Sequence, residues 1–279
     1  MSKKNYLRMK TILSYVGITI VAFVMIMPLI WLLSASFQTQ GQIYKVPFNW
    51  IPEALQLINY SDAWTIGHMN TAFFSSACVA LIYIACHICF CTIIGFVFAK
   101  YNFRGKNFLF ALVLVTMMIP QELTYFPVYG VVKKLGLINK YVGVALPLMI
   151  SGMGVFMMRQ FSLYIPNEIL EAAKIDGCGN FKSFLRVGVP LLKPGMASLT
   201  ILAFSFIWDE FAWSRLVLNT PDKMTIPIML TNLISSSNNE VEITAMLAAS
   251  VIAMLPVIIL FIVFQKQFIE SITQSGVKG

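Results

Sequence analysis

The chain has 279 residues, 58% of them hydrophobic and only 11% charged, with a mean hydropathy of +0.78. Soluble domains carry about 25% charged residues, so this composition leaves too little charge to cover a water-facing surface, and it excludes a cytosolic enzyme, a secreted disulfide scaffold and a nucleic-acid-binding domain. The net charge of +8 then fits basic loops that hold one face of a bilayer better than a polyanion partner: the chain reads as an integral membrane protein.

A membrane-crossing helix takes about 20 mostly apolar residues. Segment 1–10, with Lys3, Lys4, Arg8 and Lys10, precedes an uncharged stretch over 11–37. Ser34, Ala35 and Ser36 resemble a leader-cleavage site, but a leader core runs to roughly 7–15 residues, so this longer stretch is expected to be an anchor. A second span is predicted over 71–99, and a third over 107–130, interrupted by Glu122. A fourth covers 141–158, a fifth covers 195–219 with Asp209 and Glu210 inside it, and a sixth covers 243–265 before a tail over 266–279. The pattern predicts an all-α membrane protein with one six-helix domain over 11–265. Fourteen basic residues fall in segments on the same membrane face as the N-terminus and six in segments on the other face, a bias that predicts both termini in the cytoplasm. Lys133, Lys134 and Lys140 run against that bias.

The five cysteines do not suggest disulfides: Cys78, Cys86, Cys89 and Cys91 fall in the second span and Cys178 in a loop. Cys86 and Cys89 share a helix face, but His87 points about 100° away, so small buried thiols are expected rather than a metal site. His87, near the middle of the bilayer, needs a hydrogen-bond partner there.

The cytoplasmic loop 159–194 carries the most information. Pro166 suits a first helical turn, Glu168 and Glu171 lie near its positive end, and Gly177 supplies a left-handed cap. Phe181, Phe184 and Leu185 then predict the apolar face of a second short helix, ended by Pro190. Ala172 and Ala173 leave room for another protein to approach the backbone, and Glu171 offers a carboxylate to a basic partner. These residues by themselves fit either a docking element or a helix lying on headgroups.

The spacing Glu171-Ala172-Ala173, then Gly177, then Val187, Val189 and Pro190 resembles the signature of binding-protein-dependent ABC importer permeases. The family more often has Ile and Leu where this chain has Val187 and Val189. Segments 116–120, 158–161, 165–168, 208–211 and 272–279 are similar to its sugar-importer branch, nearest the second permease subunit of maltose-type systems. Trp208-Asp209-Glu210-Phe211 departs from the Trp-Asn-Asp-Phe common in that branch. The resemblance implies a type I importer fold in a prokaryotic plasma membrane. It also implies a second homologous permease, two ATPase subunits that bind ATP and Mg, an extracytoplasmic solute-binding protein and a sugar or oligosaccharide substrate. By the same resemblance Glu171, Ala172, Ala173 and Gly177, with Asp176 and Pro190, dock the ATPase.

The residues agree with that division of labour. No Gly-x4-Gly-Lys-Ser/Thr phosphate loop occurs in the chain, so a non-catalytic subunit without a cofactor of its own is expected. For the pathway, ionisable residues at membrane depth usually face a cavity. Asp209, Glu210 and Glu122 are candidate acceptors for sugar hydroxyls, and Trp208 and Trp213 are candidate stacking faces. The outward loop 220–242 is polar and fits either a reach toward the binding protein or a solvated connector. The rival readings are an ion-coupled carrier using the same carboxylates and an intramembrane enzyme, for which no nucleophile, base and metal constellation converges.

Overall fold

The computed structural model describes the backbone of residues 3–47, 49–235 and 240–276, and within these the side chains outside 3–8, 234, 235, 240–242 and 266–276. Lys3, Lys4, Arg8, the polar run 235–239 and the tail residues from Lys266 onward, with Lys278, therefore lie outside the described side chains. Regular structure among the described residues is helical throughout.

The first long helix is α1 (Lys3–Ala35), followed by the short α2 (Gln40–Ile43) and α3 (Ile58–Ile66) and by α4 (Met69–Lys100). The third predicted span is not one rod. Helix α5 (Lys106–Thr116) ends, Pro120 is extended, and after a 3₁₀ turn at Gln121–Thr124 the chain resumes as α6 (Tyr125–Lys134), with a bend of 99°. Proline has no N–H with which to carry the preceding helix on. The fourth span is bent by 55° between α7 (Tyr141–Leu148) and α8 (Gly152–Leu163). Pro147 lies in α7, and the Ser151 hydroxyl starts α8 afresh by accepting from the Gly154 N–H at 3.0 Å.

The predicted loop contains α9 (Asn167–Ile175) and α10 (Asn180–Ser183), which passes through a π turn at Phe184–Gly188 into α11 (Val189–Trp208). Helix is continuous from Asn180 to Trp208. Pro190 therefore does not end the second loop helix; it lies in the first turn of α11. The preceding π turn supplies the wider register that a ring without an N–H requires. Within this helix Phe184 is buried while Phe181 and Leu185 are exposed, so the expected three-residue apolar face is split. The helix stops at Trp208, short of the predicted 219, and Ala212–Val217 is a separate α12. Next come α13 (Ile226–Ser235) and α14 (Glu240–Gly276). Four stretches, Met9–Ala35, Met69–Lys100, Asn180–Trp208 and Ile243–Gln265, are long and apolar enough to cross a membrane, and the bent pairs raise the total to as many as six.

The chain divides into two units, Met1–Met69 with Leu230–Met254, and Asn70–Met229 with Leu255–Gly279. In the first, the chain leaving α1 is held by a polar network. The Asn59 amide donates to the carbonyls of Ser36 and Gln38, both at 2.9 Å, and the Gln38 amide donates to the Asn49 carbonyl at 2.9 Å. These bonds satisfy backbone acceptors just beyond a helix end. On the surface nearby, Gln42 and Lys45 hold the Glu53 carboxyl below the usual carboxylate range.

The second unit is built around Cys91 and Phe96 of α4, Val155 and Met158 of α8, Leu170 of α9, Phe184, and Leu192 and Leu199 of α11. Helices α4 and α8 touch at Gly95, where a Cβ would lie 2.7 Å from the Arg159 nitrogen and 2.7 Å from the Met158 Cβ. Close backbone approach at a small residue is how helices gain contact in a membrane, where burial from water drives no association.

Candidate functional site

Two places in the second unit combine the sequence-predicted residues with organised geometry: the α9 corner and a cavity at the two bends.

The α9 corner is built outward from α4. The Lys100 ammonium, at the last residue of α4, donates to the Ile165 carbonyl and, at 2.9 Å, to the Asn167 side-chain oxygen. Its neighbour Tyr101 reaches both loop helices. The Lys174 ammonium lies 5.9 Å from the Tyr101 ring centre, and the Tyr101 hydroxyl donates to the Asn180 carbonyl at 3.4 Å.

On α9, Leu170 and Ala173 face inward and are buried, while Glu168, Glu171 and Ala172 are exposed. Of the two alanines, therefore, Ala172 is on the open face and Ala173 is against the core. The helix ends in a Schellman arrangement: the Cys178 N–H donates to the Ala173 carbonyl at 2.9 Å and the Gly177 N–H to the Lys174 carbonyl at 3.0 Å. Gly177 has φ +80° with open space around its missing Cβ; glycine is there for its backbone alone. Asp176 is the exposed C-cap. Ile175 (87% exposed) and Phe181 (70% exposed) flank the corner, an apolar pair that needs a covering surface. Pro190, exposed at the start of α11, is a helix-register residue.

The cavity, of about 630 Å³, lies where the 99° and 55° bends come together. Its wall includes Tyr83 and His87 of α4, Gln121 and Tyr125 at the first bend, Ser151 at the second, and Trp213 of α12. The Nδ1 of His87 is 3.1 Å from the Met149 carbonyl. A carbonyl only accepts, so Nδ1 donates there. The ring stacks on Tyr83 with 4.9 Å between centres. Trp213 donates from its ring nitrogen to the Val144 carbonyl at 3.2 Å and packs on Tyr125 at 5.6 Å.

Among the predicted pathway residues, only Trp213 belongs to this wall. Glu210 is buried and fully engaged: its Oε1 accepts from the Trp213 N–H at 2.7 Å, and its Oε2 accepts from the Ser214 N–H at 2.7 Å and the Ser214 hydroxyl at 2.6 Å. It is the anionic cap of α12. Asp209 and Glu122 are exposed and are not part of the wall. Trp208 is buried, stacked on Phe204 at 5.0 Å. Tyr83, Gln121, Tyr125 and Ser151 carried no sequence signal of their own, whereas His87 did, as an ionisable residue in an apolar run. Among the described residues no group of three His, Cys, Asp or Glu side chains could hold a metal ion.

Known proteins share this framework. The family described as "Binding-protein-dependent transport system inner membrane component" matches residues 91–274, from the middle of α4 through the α9 corner and into α14. The chain belongs to that family. It is accordingly a multi-pass protein of the inner membrane. This inner membrane component is 36% identical over 267 residues to an arabinooligosaccharides transport system permease protein of Halalkalibacterium halodurans, covering 95% of each chain. It is 29% identical to an sn-glycerol-3-phosphate transport system permease protein of Brucella abortus, covering 93% of each. It is 28% identical to a diacetylchitobiose uptake system permease protein of Streptomyces coelicolor, covering 90% of this chain and 83% of that one. Among solved structures, it shares the fold of a chain from a bacterial ABC transporter involved in import of the acidic polysaccharide alginate. There the TM-score is 0.83 at 22% identity, over 96% of this chain and 99% of the other.

Proposed function

We propose that this inner membrane component is the permease subunit of an ATP-driven ABC sugar importer, forming half of the translocation pathway. In this reading it crosses the membrane six times, the two bent pairs each counting once, with both termini in the cytoplasm. A homologous permease completes the pathway, a solute-binding protein delivers the sugar outside, and two ATPase subunits bind ATP and Mg inside.

The observation that carries the reading is the anchored corner. An exposed helix with an acidic outer face, capped at Gly177 and flanked by Ile175 and Phe181, is tied through Lys100 to the end of a membrane-spanning helix. A partner that pushes on α9 moves α4 with it, because the buried side of α9 shares a core with α4, α8 and α11. Glu171, Ala172 and Asp176 are the contact face, while Ala173, Gly177 and Pro190 hold its shape. Relatives whose names specify arabinooligosaccharides and diacetylchitobiose support a sugar as the cargo.

The test is reconstitution in proteoliposomes. With the second permease, ATPases and binding protein present, ATP drives accumulation of radiolabelled oligosaccharide. Accumulation by the isolated chain under an ion gradient, with no ATPase present, overturns the proposal in favour of a carrier.

A further inference from the structure

The relatives handle cargo of different charge, neutral sugars in some and a phosphate or an acidic polysaccharide in others. The cavity of this chain discriminates between those classes. Its wall contains no Asp, Glu, Lys or Arg. The nearby Glu210 carboxylate is spent on capping α12. A phosphate or uronate entering here would leave its water and meet no cation, which is heavily penalised inside a low-dielectric site.

What the wall does offer suits a hydroxylated ring. The side-chain amide of Gln121 makes no hydrogen bond among the described residues and faces the cavity as both donor and acceptor. The Tyr125 hydroxyl both donates and accepts hydrogen bonds. Tyr125 and Phe206 supply aromatic faces, backed by the buried Tyr83 and Trp213. A volume of about 630 Å³ falls within the range of small-molecule sites, which are mostly apolar with a few placed polar groups. The non-helical backbone at both bends is of the kind tolerated at membrane depth where it lines a cavity.

We infer that this cavity is a saccharide subsite belonging to this chain and selective for uncharged sugars, with Gln121 and Tyr125 meeting hydroxyls beside aromatic faces. The inference rests on the proposed function and deepens it by assigning the charge class of the cargo and the residues that set it. A site built to hydrogen-bond hydroxyls loses affinity steeply when its own polar groups are removed.

The experiment uses the whole importer in lipid nanodiscs, without the binding protein, and measures saturation-transfer NMR with maltose, arabinobiose and digalacturonic acid. A signal from at least one neutral disaccharide is expected, with none from the uronate. The neutral signal weakens about tenfold in affinity in Gln121→Ala and in Tyr125→Phe, and co-purification with the ATPase verifies that each variant folds. Equal binding of the uronate overturns the charge selectivity, and unchanged affinity in both variants overturns the residue assignment. An importer that accumulates sugar with ATP but gives no signal for any disaccharide sinks the subsite and leaves the proposed function standing. An importer that accumulates no sugar at all sinks both.

Discussion

The ammonium of Lys100, the last residue of α4, bonds both the Ile165 carbonyl and the Asn167 side chain at the entrance to α9. One side chain thus joins a membrane-spanning helix to the loop that faces the cytoplasmic partner in the proposed function. A hydrogen bond to a charged group contributes about 1.5–3 kcal/mol, and partial exposure puts this one at the low end. Lys100→Met is expected to leave the chain inserted and to reduce sugar-stimulated ATP hydrolysis about tenfold relative to unstimulated hydrolysis, with Lys100→Arg retaining most of it. Equal stimulation in Lys100→Met and wild type would remove the joint.

Gly177 at φ +80° separates backbone from bulk. Nothing surrounds its missing Cβ, so Gly177→Ala meets only the left-handed backbone penalty of about 1–2 kcal/mol, and Gly177→Asn meets less. Gly177→Pro cannot adopt the angle and loses the N–H bonded to the Lys174 carbonyl. Stimulated ATP hydrolysis should fall in the order Gly, Asn, Ala, Pro and vanish for Pro while membrane insertion persists. Full stimulation in Gly177→Pro would show that the corner transmits nothing.

The ease of reading this corner and the difficulty of reading the cavity have one cause. Pro166, Glu168 and Gly177 act within a helical turn or two, so their meaning is local and the sequence carries it. The bends at Pro120 and after Pro147 are also marked by prolines, yet an uncharged run reports the length of a span and not its axis. The wall then gathers Tyr83, Gln121, Ser151 and Trp213 from four separated segments, and no periodicity within any one of them announces that meeting. Pro190 misleads for a related reason: a proline ends an α-helix, but a π turn one step earlier lets the helix continue. Glu210 reads from sequence as a pathway acid because it is ionisable in an apolar stretch; only the start of α12 two residues on makes it a cap.

That cap is open to direct measurement. Glu210→Gln replaces one acceptor oxygen with a donor facing the Ser214 N–H or the Trp213 N–H, leaving a buried group unpaired at a cost of about 1–3 kcal/mol. A clear drop in the melting temperature of the purified importer is expected, whereas Asp209→Asn, at an exposed position, should leave it within about 0.5 kcal/mol of wild type. Should Glu210→Gln instead melt like wild type and alter only sugar KM, Glu210 would return to the pathway.

Ile175 and Phe181 project on either side of the Gly177 turn, 87% and 70% exposed, while Leu170, Ala173 and Phe184 beneath them are buried. Large apolar side chains held out by a rigid corner, beside the exposed carboxylates of Glu171 and Asp176, are the composition of an interface centre rather than of a solvated loop. If the corner instead lay on headgroups, lipid attraction would follow the exposed Lys174 and Lys182 more than any one aromatic ring. Phe181→Ala removes the ring without touching the Schellman cap, and loss of a central aromatic anchor costs about 2 kcal/mol or more. ATPase association, measured on the detergent-solubilised complex by dilution, should weaken by more than tenfold in Phe181→Ala and in Ile175→Ser, with the melting temperature of the permease pair unchanged. If association holds in both and falls instead in Lys174→Gln together with Lys182→Gln only when anionic lipid is present, the corner is a membrane skirt and the partner docks elsewhere.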